Sequence, residues 1–248
     1  MQLSYVISPA KKMNVVEGPP YATTEPVFLQ QTKHLAHLIQ SLSLADAQAL
    51  WKCSDKLAAL NYERFQTMDL DSALTAAVLA YEGIQYQHLA PQVLDDQSLI
   101  YLEEHMHILS GFYGALRATD AVVPYRLEMQ AKLSLPGSRN LYEFWGDKLW
   151  QAVSKNADAV INLASVEYSH AIAPYVHEIP LVTCLFCTVR EDGKLIQKST
   201  EAKAARGTFM RWCAEHAISD IDELTCFNER SYAFDATRSD DKTLVFVA

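Results

Sequence analysis

The chain has 248 residues, of which 50% are hydrophobic and 21% are charged, and its formal net charge is −9. This is the composition of a globular protein long enough to bury a core without disulfides or metals. The negative net charge argues against a protein that binds nucleic acid over its whole surface, since phosphate binding requires lysine and arginine. It is compatible with a local basic groove.

The same composition argues against a membrane protein. No apolar run reaches the roughly 20 residues of a transmembrane helix, and the N-terminal MQLSYVISPAKK lacks the pattern of a signal peptide. We therefore expect a cytoplasmic monomer with no membrane partner. An odd count of five cysteines indicates reduced thiols. Cys184 and Cys187 have CxxC spacing, but residues three apart on a strand face opposite sides, so we expect neither a metal nor a cofactor there.

The N-terminal half is predicted to be one strand, one long loop and a series of helices. Alternating residues favour a strand over residues 2–8, and the four prolines and one glycine of residues 8–26 indicate a long loop, which in a compact chain is usually functional or disordered. Apolar periodicity predicts helices over residues 27–42, 43–53, 55–66, 71–83 and 95–111.

The C-terminal half alternates strands with helices. Strands are predicted over residues 121–129, 158–165 and 243–248, and a hairpin over 181–199 turns at Asp192-Gly193. Helices are predicted over residues 141–155, 166–172 and 200–218. This irregular order favours an α/β fold of the α+β type, with a central mixed sheet surrounded by helices in a single domain over residues 1–248.

Seven short segments, here called the motif segments, mix charged and apolar residues in ways that neither helix nor strand periodicity requires. They are ISPAKK (7–12), SDKLA (54–58), LSGFYGALR (109–117), PYRLEM (124–129), LYEFWG (141–146), NLASVEY (162–168) and AKAARG (202–207). In kind and in order, the set resembles the YaaA family of bacterial peroxide-stress proteins. The chain departs from the family pattern at Lys12-Met13-Asn14, at Ala118-Thr119-Asp120 and at Ala204, where the family often has a second lysine.

The resemblance implies a central sheet wrapped by helices, a positively charged cleft and a helix-hairpin-helix element. It also implies binding to double-stranded or distorted DNA, and a role in limiting peroxide damage, in part by keeping free intracellular iron low. The departures from the family pattern leave the type of site intact, but the charge density of the site can differ from that of the family.

Residues 109–116 are the candidate for the helix-hairpin-helix element. Gly111 and Gly114 would permit the turn, and the next helix would offer free N–H groups to a DNA phosphate. The two glycines flank Phe112-Tyr113, one residue more than the common Gly-apolar-Gly pattern. The alternative is that Gly111 caps a helix and Gly114 is tightly packed.

Cations and glycines of the motif segments are the candidate DNA-binding residues. They are Lys11, Lys56, Gly111, Gly114, Arg117, Arg126, Lys203 and Arg206. If the cations converge, an acidic protein acquires one basic groove whose affinity for DNA depends on salt.

Carboxylates in the motif segments keep a second function open. Glu128 and Glu167 could hold arginines in place, or they could act as general acids or bases, or as metal ligands, in an enzyme for a nucleotide or small phosphorylated molecule. We assign no catalytic residue from the sequence. Glu104 and His107 have di-iron spacing, but a di-iron bundle needs that motif twice, so we expect no metal site.

Overall fold

The computed structural model describes residues 1–16 and 23–248, so part of the predicted loop over residues 8–26 lies outside the described residues. Its strands are β1 (Leu3–Ile7), β2 (Lys12–Met13), β3 (Thr75–Ala76), β4 (Tyr81–Glu82), β5 (Met106–Ser110), β6 (Gly114–Arg117), β7 (Ala121–Val122), β8 (Ala159–Leu163), β9 (Leu181–Val189), β10 (Leu195–Ile196), β11 (Ala233–Phe234) and β12 (Thr243–Val247).

Helices surround these strands. They are α1 (Leu29–Gln40), α2 (Leu44–Trp51), α3 (Asp55–Thr67), α4 (Ala77–Ala80), α5 (Ile84–Leu89), α6 (Asp96–His105), α7 (Leu141–Trp145), α8 (Lys148–Ser154), α9 (Val166–Ser169), α10 (Ser199–Glu215) and α11 (Ile221–Leu224), with 3₁₀ turns at Pro91–Val93 and Ala173–Tyr175. In the two ranges that the structure covers, none of these helices has the length and apolar character needed to cross a membrane.

Eight of the strands form a central sheet in the order β11-β12-β9-β8-β1-β5-β6, with β10 beside β9. The inner pairs, from β12 through β9, β8 and β1 to β5, are all parallel. β6, β10 and β11 pair antiparallel at the margins. The predicted mixed sheet surrounded by helices is therefore confirmed. Every residue of β1 and β8 is buried, because helices cover both faces of the parallel strands.

The order of the strands creates a switch point between β1 and β8. The next sheet strand after β1 is β5, on one side, whereas the next after β8 is β9, on the other side. The chain thus leaves two adjacent parallel strands in opposite directions, which opens a crevice at their carboxyl ends. Ser8 and Ser165 meet there, where Ser165 N donates to Ser8 Oγ at 2.8 Å.

Several predicted elements differ from the structure. The helix predicted over residues 71–83 is replaced by β3, α4 and β4, and only Ala121–Val122 of the strand predicted over residues 121–129 is a strand. The helix predicted over residues 141–155 is divided into α7 and α8 at Gly146, whose φ is 54°. These short elements are set by contacts distant in sequence, such as the pairing of β3 with β7.

The helix-hairpin-helix prediction is not confirmed, because a strand–turn–strand hairpin occupies residues 109–117. β5 and β6 pair antiparallel with Ser110 opposite Gly114. In the turn, Phe112 N and Tyr113 N donate to Ser110 Oγ at 3.1 and 2.9 Å. Both rings are fully buried. The N–H groups that were candidates for a phosphate are therefore used inside the protein.

Both glycines of the hairpin are sites of close packing. A Cβ at Gly111 would lie 2.6 Å from Leu127 O, and one at Gly114 would lie 2.8 Å from the Phe28 ring and 2.9 Å from the Trp145 ring. Gly114 also has a φ of 78°, which disfavours other residues. The alternative of a tightly packed Gly114 thus describes this stretch, although Gly111 ends no helix.

Candidate functional site

A cleft of about 700 Å³, here called the basic cleft, opens at the carboxyl ends of β1 and β8. Its walls are residues 8–12 after β1, 82–86, 125–128, 165–168 after β8, and Ser199, Lys203 and Arg206 of α10. The position at a switch point is the usual one for ligands in open α/β sheets, and the volume is in the range of small-molecule sites.

Positive charge exceeds negative charge in this cleft. Its lining contains the five cationic residues Lys11, Lys12, Arg126, Lys203 and Arg206, and the three acidic residues Glu82, Glu128 and Glu167. The excess of two positive charges contrasts with a net charge of −9 for the whole chain. The cleft is thus a local basic surface on an acidic protein.

Glu128 neutralises one wall of the basic cleft. Its Oε1 lies 3.1 Å from Lys11 Nζ and 2.9 Å from Arg126 Nη2. The side chains of Arg126 and Glu128 are only 11% and 17% exposed. Because so little water reaches Arg126, it needs a counter-charge, and Glu128 supplies it.

The other two carboxylates are also engaged. Glu82 accepts from Lys12 Nζ at 2.5 Å and from Asn14 Nδ2 at 2.8 Å. These hydrogen bonds, the one from Lys12 above all, hold the pKa of the Glu82 carboxyl below its usual value. Glu167 Oε1 accepts from the backbone N–H of Gln130 at 3.2 Å. Each carboxylate of the cleft therefore holds a cation or a loop in place.

The two cations of α10 differ from the rest. Within the part of the chain that the structure describes, neither Lys203 nor Arg206 forms an ion pair. Arg206 is only 8% exposed, and its buried Nε has no hydrogen-bond partner among residues 1–16 and 23–248. Its Nη2 donates to Gln197 Oε1 at 3.5 Å, the limit for such a bond. Burial lowers the pKa of Arg206, as expected for a charge removed from water.

No counter-charge comes from the thiols beside Arg206. Cys184 and Cys187 are free, and both are buried in β9. Burial raises the pKa of each thiol, so both are protonated and neutral at pH 7. The positive charges of α10 therefore remain available to an anion in the cleft.

Buried tyrosines form the support beneath the cleft. Tyr125 OH lies 2.6 Å from Ser110 Oγ and 2.8 Å from Tyr81 OH, and Tyr86 OH donates to Ser8 O at 2.9 Å. Burial raises the pKa of Tyr125 to about 12. These phenols are thus neutral at pH 7, and they tie the hairpin and the loop after β1 to the cleft wall.

The structure brings together half of the predicted DNA-binding residues. Lys11, Arg126, Lys203 and Arg206 line the basic cleft, whereas Lys56, Gly111, Gly114 and Arg117 do not. Lys56 is exposed on the first turn of α3. Arg117 lies on β6, where it pairs with Glu103 at 3.5 Å and with the buried Asp120 at 3.2 Å.

Some lining residues were not candidates from the sequence. Glu82, Tyr86 and Ser199 lie outside the motif segments, and Lys12 lies inside one but was not singled out. The one sequence feature near Glu82 that could have drawn attention to this wall is Gly83, which lies between Glu82 and α5. A Cβ there would lie 3.1 Å from Ala10 Cβ, so this glycine lets the loop after β1 approach.

Comparison with known proteins places the chain in a family. The sequence profile described as "Peroxide stress protein YaaA" matches residues 3–238. A UPF0246 protein of Pediococcus pentosaceus is 47% identical over 246 residues, covering 99% of this chain and 98% of the relative. Similar proteins of Lachnoclostridium phytofermentans and Lactiplantibacillus plantarum are 46% and 45% identical, covering 98% and 99% of this chain and 95% and 99% of their own lengths. The chain belongs to the family of peroxide stress protein YaaA.

Proposed function

We propose that this protein binds double-stranded or distorted DNA through the basic cleft and thereby helps to limit iron-dependent damage during peroxide stress. The observation that carries the proposal is the concentration of five cationic side chains in one cleft of a chain whose net charge is −9. Membership in a peroxide-stress family supports the cellular role.

The arrangement of the cations suits a phosphate backbone. Lys203 is exposed, and so is Lys11 although its Nζ lies 3.1 Å from Glu128, so both can reach phosphates of a duplex lying across the mouth of the cleft. Arg126 is held by Glu128, so we assign it the role of positioning the wall. Contacts of this kind fix orientation without reading sequence. We therefore expect weak sequence preference.

Fluorescence anisotropy with labelled duplex and bulged DNA tests the proposal. Because each neutralised phosphate contributes about −0.9 to the slope of log affinity against log salt, two to five contacts predict a slope of about −2 to −4.5. The double variant Lys11→Gln/Lys203→Gln should bind at least about tenfold more weakly at low salt. Lys56→Gln is the matched control, since Lys56 lies outside the cleft. Binding that ignores salt, or a double variant that binds as well as wild type, would refute the proposal.

The cellular part needs its own measurement. A strain lacking the protein should survive peroxide poorly and should hold more free intracellular iron than its parent. Wild-type protein and Lys56→Gln should restore both properties, whereas Lys11→Gln/Lys203→Gln should not. Full restoration by the double variant would show that the stress role does not depend on Lys11 and Lys203 of the cleft.

A second candidate is an enzyme acting on a nucleotide or small phosphorylated molecule. The position of the cleft at a switch point favours it, since catalytic sites of open α/β sheets commonly lie there. Against it, Glu128 is ion-paired and Glu167 accepts a backbone N–H, so neither is a free base. Turnover of a nucleotide that Glu167→Gln stops without unfolding the protein would establish the enzyme; absence of turnover leaves binding as the function.

A further inference from the structure

Three residues of α10 present one face to the basic cleft. Ser199, Lys203 and Arg206 are spaced four and three residues apart, so they lie along the first two turns of a 17-residue helix. The N-cap residue Lys198 makes no side-chain capping bond. N–H groups in the first turn of a helix have no intrahelical acceptor and attract anions. We call this face the α10 subsite.

Arg206 is an independent indication of a ligand. It is more than nine-tenths buried and lines the cleft, and unlike Arg117 and Arg126, whose Nε atoms are also without a hydrogen-bond partner, it forms no ion pair in the described residues. A buried polar group left unpaired destabilises a protein, and a buried charge does so more strongly. An anion bound in the cleft would supply the missing counter-charge. The planar guanidinium suits the paired oxygens of a phosphate.

The charge of the subsite selects among phosphates. Glu82, Glu128 and Glu167 are engaged elsewhere, which leaves Lys203 and Arg206 as the cleft cations without an acidic partner in the described chain. A phosphate monoester carries a charge of about −1.5 to −2 at pH 7. Two positive charges match a monoester better than the single charge of an internal phosphodiester.

The burial of Arg206 points to the same group. An internal phosphodiester of a duplex has a nucleotide on each side, and a cleft of about 700 Å³ holds a single nucleotide but no length of double helix. A phosphate at the end of a strand, or on a free mononucleotide, can enter the cleft as far as Arg206, which is 8% exposed. A backbone phosphate is restricted to the rim, near Lys11 and Lys203.

We propose that the α10 subsite binds a phosphate monoester, the group that ends a DNA strand or a nucleoside monophosphate. This rests on the proposed function of the basic cleft as a phosphate-binding surface, and it deepens that function from backbone contact to recognition of an end. The subsite would let the protein prefer broken or processed DNA, or a mononucleotide, over continuous duplex.

Binding of matched probes to the full chain tests the subsite. One duplex is prepared with 5′-phosphate, 3′-phosphate or hydroxyl ends, and a deoxynucleoside monophosphate is compared with its nucleoside by calorimetry. We expect at least one phosphorylated probe to bind at least about tenfold more tightly than its hydroxyl counterpart. The duplexes test a phosphate at a strand end, and the deoxynucleoside monophosphate tests a free nucleotide, so the experiment distinguishes these two sources of the monoester. Equal binding of every phosphorylated probe and its counterpart would overturn the proposal.

Variants assign the preference to Arg206. Arg206→Gln should abolish the preference for phosphorylated probes, whereas Arg211→Gln should keep it, since Arg211 lies on the same helix, paired with Glu215 and outside the cleft. Retention of the preference in a folded Arg206→Gln protein would overturn the assignment. If Arg206→Gln fails to fold by circular dichroism, Lys203→Gln replaces it and should weaken the preference about tenfold or more; an unchanged preference would again count against the subsite.

Failure of the subsite is distinguishable from failure of the proposed function. Salt-sensitive binding of hydroxyl-ended duplex, with no gain from phosphorylation, would keep DNA binding and overturn the subsite. Binding of the monophosphate through Arg206, with no binding of duplex, would support the subsite and overturn DNA binding. Lowering the pH from 7.5 to 5.5 should weaken monoester binding, because the second pKa of the phosphate is about 6.

Discussion

Substitution of Gly207 by alanine tests how α10 is held at the basic cleft. A Cβ at this position would lie 2.1 Å from Gln85 O and 3.0 Å from His88 Cβ, so α10 or α5 must move. Overpacking of this kind costs about 1–3 kcal/mol, while alanine in place of glycine gains up to about 1 kcal/mol in a helix interior. We expect a net loss of about 1–2 kcal/mol, which lowers the Tm of a chain of this size by about 2–8 °C.

The movement should also change binding, because Arg206 is the neighbour of Gly207 in the sequence. Thermal unfolding and anisotropy at a temperature where the variant stays folded measure the two effects. Gly137→Ala is the control: apart from its chain neighbours, no heavy atom of the described residues lies within 4 Å of its added Cβ, but its φ of 78° still makes the substitution strained. The control should lose stability and keep phosphate binding. An unchanged or raised Tm in Gly207→Ala, or unchanged binding, would refute this account of the cleft.

Three further predictions follow from buried groups. Glu128→Gln leaves Arg126 without a counter-charge, so urea unfolding should show a loss of about 2 kcal/mol while low-salt DNA affinity rises; equal stability would show that the ion pair is dispensable. Ser110→Ala removes the acceptor of two buried N–H groups and should lower the unfolding free energy by about 2 kcal/mol, and a loss below about 0.5 kcal/mol would contradict the hydrogen bonding described for the turn. Burial, aided by Arg117, lowers the pKa of His107 from 6.5 to about 4. The unfolded state then binds more protons, so stability should fall as pH drops from 6.5 to 4, and His107→Gln should flatten that fall; an equal slope in the variant would exclude His107 as the cause.

The sequence predicts β1, β8 and β9 well because these strands are runs of mostly apolar residues. The predicted bounds of β1 and β8 lie within two residues of the observed ones. The hairpin of β9 and β10 is also predicted, and its first strand begins at the predicted residue. Parallel strands covered by helices are continuous apolar runs, which stand out from amphipathic helices. The order of strands in the sheet does not follow from such runs.

The stretch from Met106 to Ser110 shows where sequence patterns fail. It continues the apolar pattern of α6 without a proline or glycine, so periodicity extends the helix to Gly111. In the structure it is β5, between β1 and β6. Pairing with two strands outweighs helix propensity here, because tertiary contacts override weak local preferences.

The candidate site was predictable as a set and less so residue by residue. The motif segments contain all five cations that meet in the basic cleft, four of which were singled out as candidates, and the topology explains why segments following β1 and β8 lie together. Arg117 differs from Arg206 because its charge is balanced by Glu103 and Asp120. The pairing of Arg117 with Glu103, which lies on another element, leaves no periodic signal in the sequence.

The contact behind Gly111 has a consequence for how the protein can vary among relatives. The wall that bears Arg126 and Glu128 lies directly against the turn of the hairpin, with Leu127 O only 2.6 Å from where a Cβ would stand. The position of this wall against the hairpin is therefore set by main chain against main chain, where no side chain can be inserted. Exchange of lining residues among relatives can therefore change which anion is attracted and how strongly, while the main chain of this wall keeps its place.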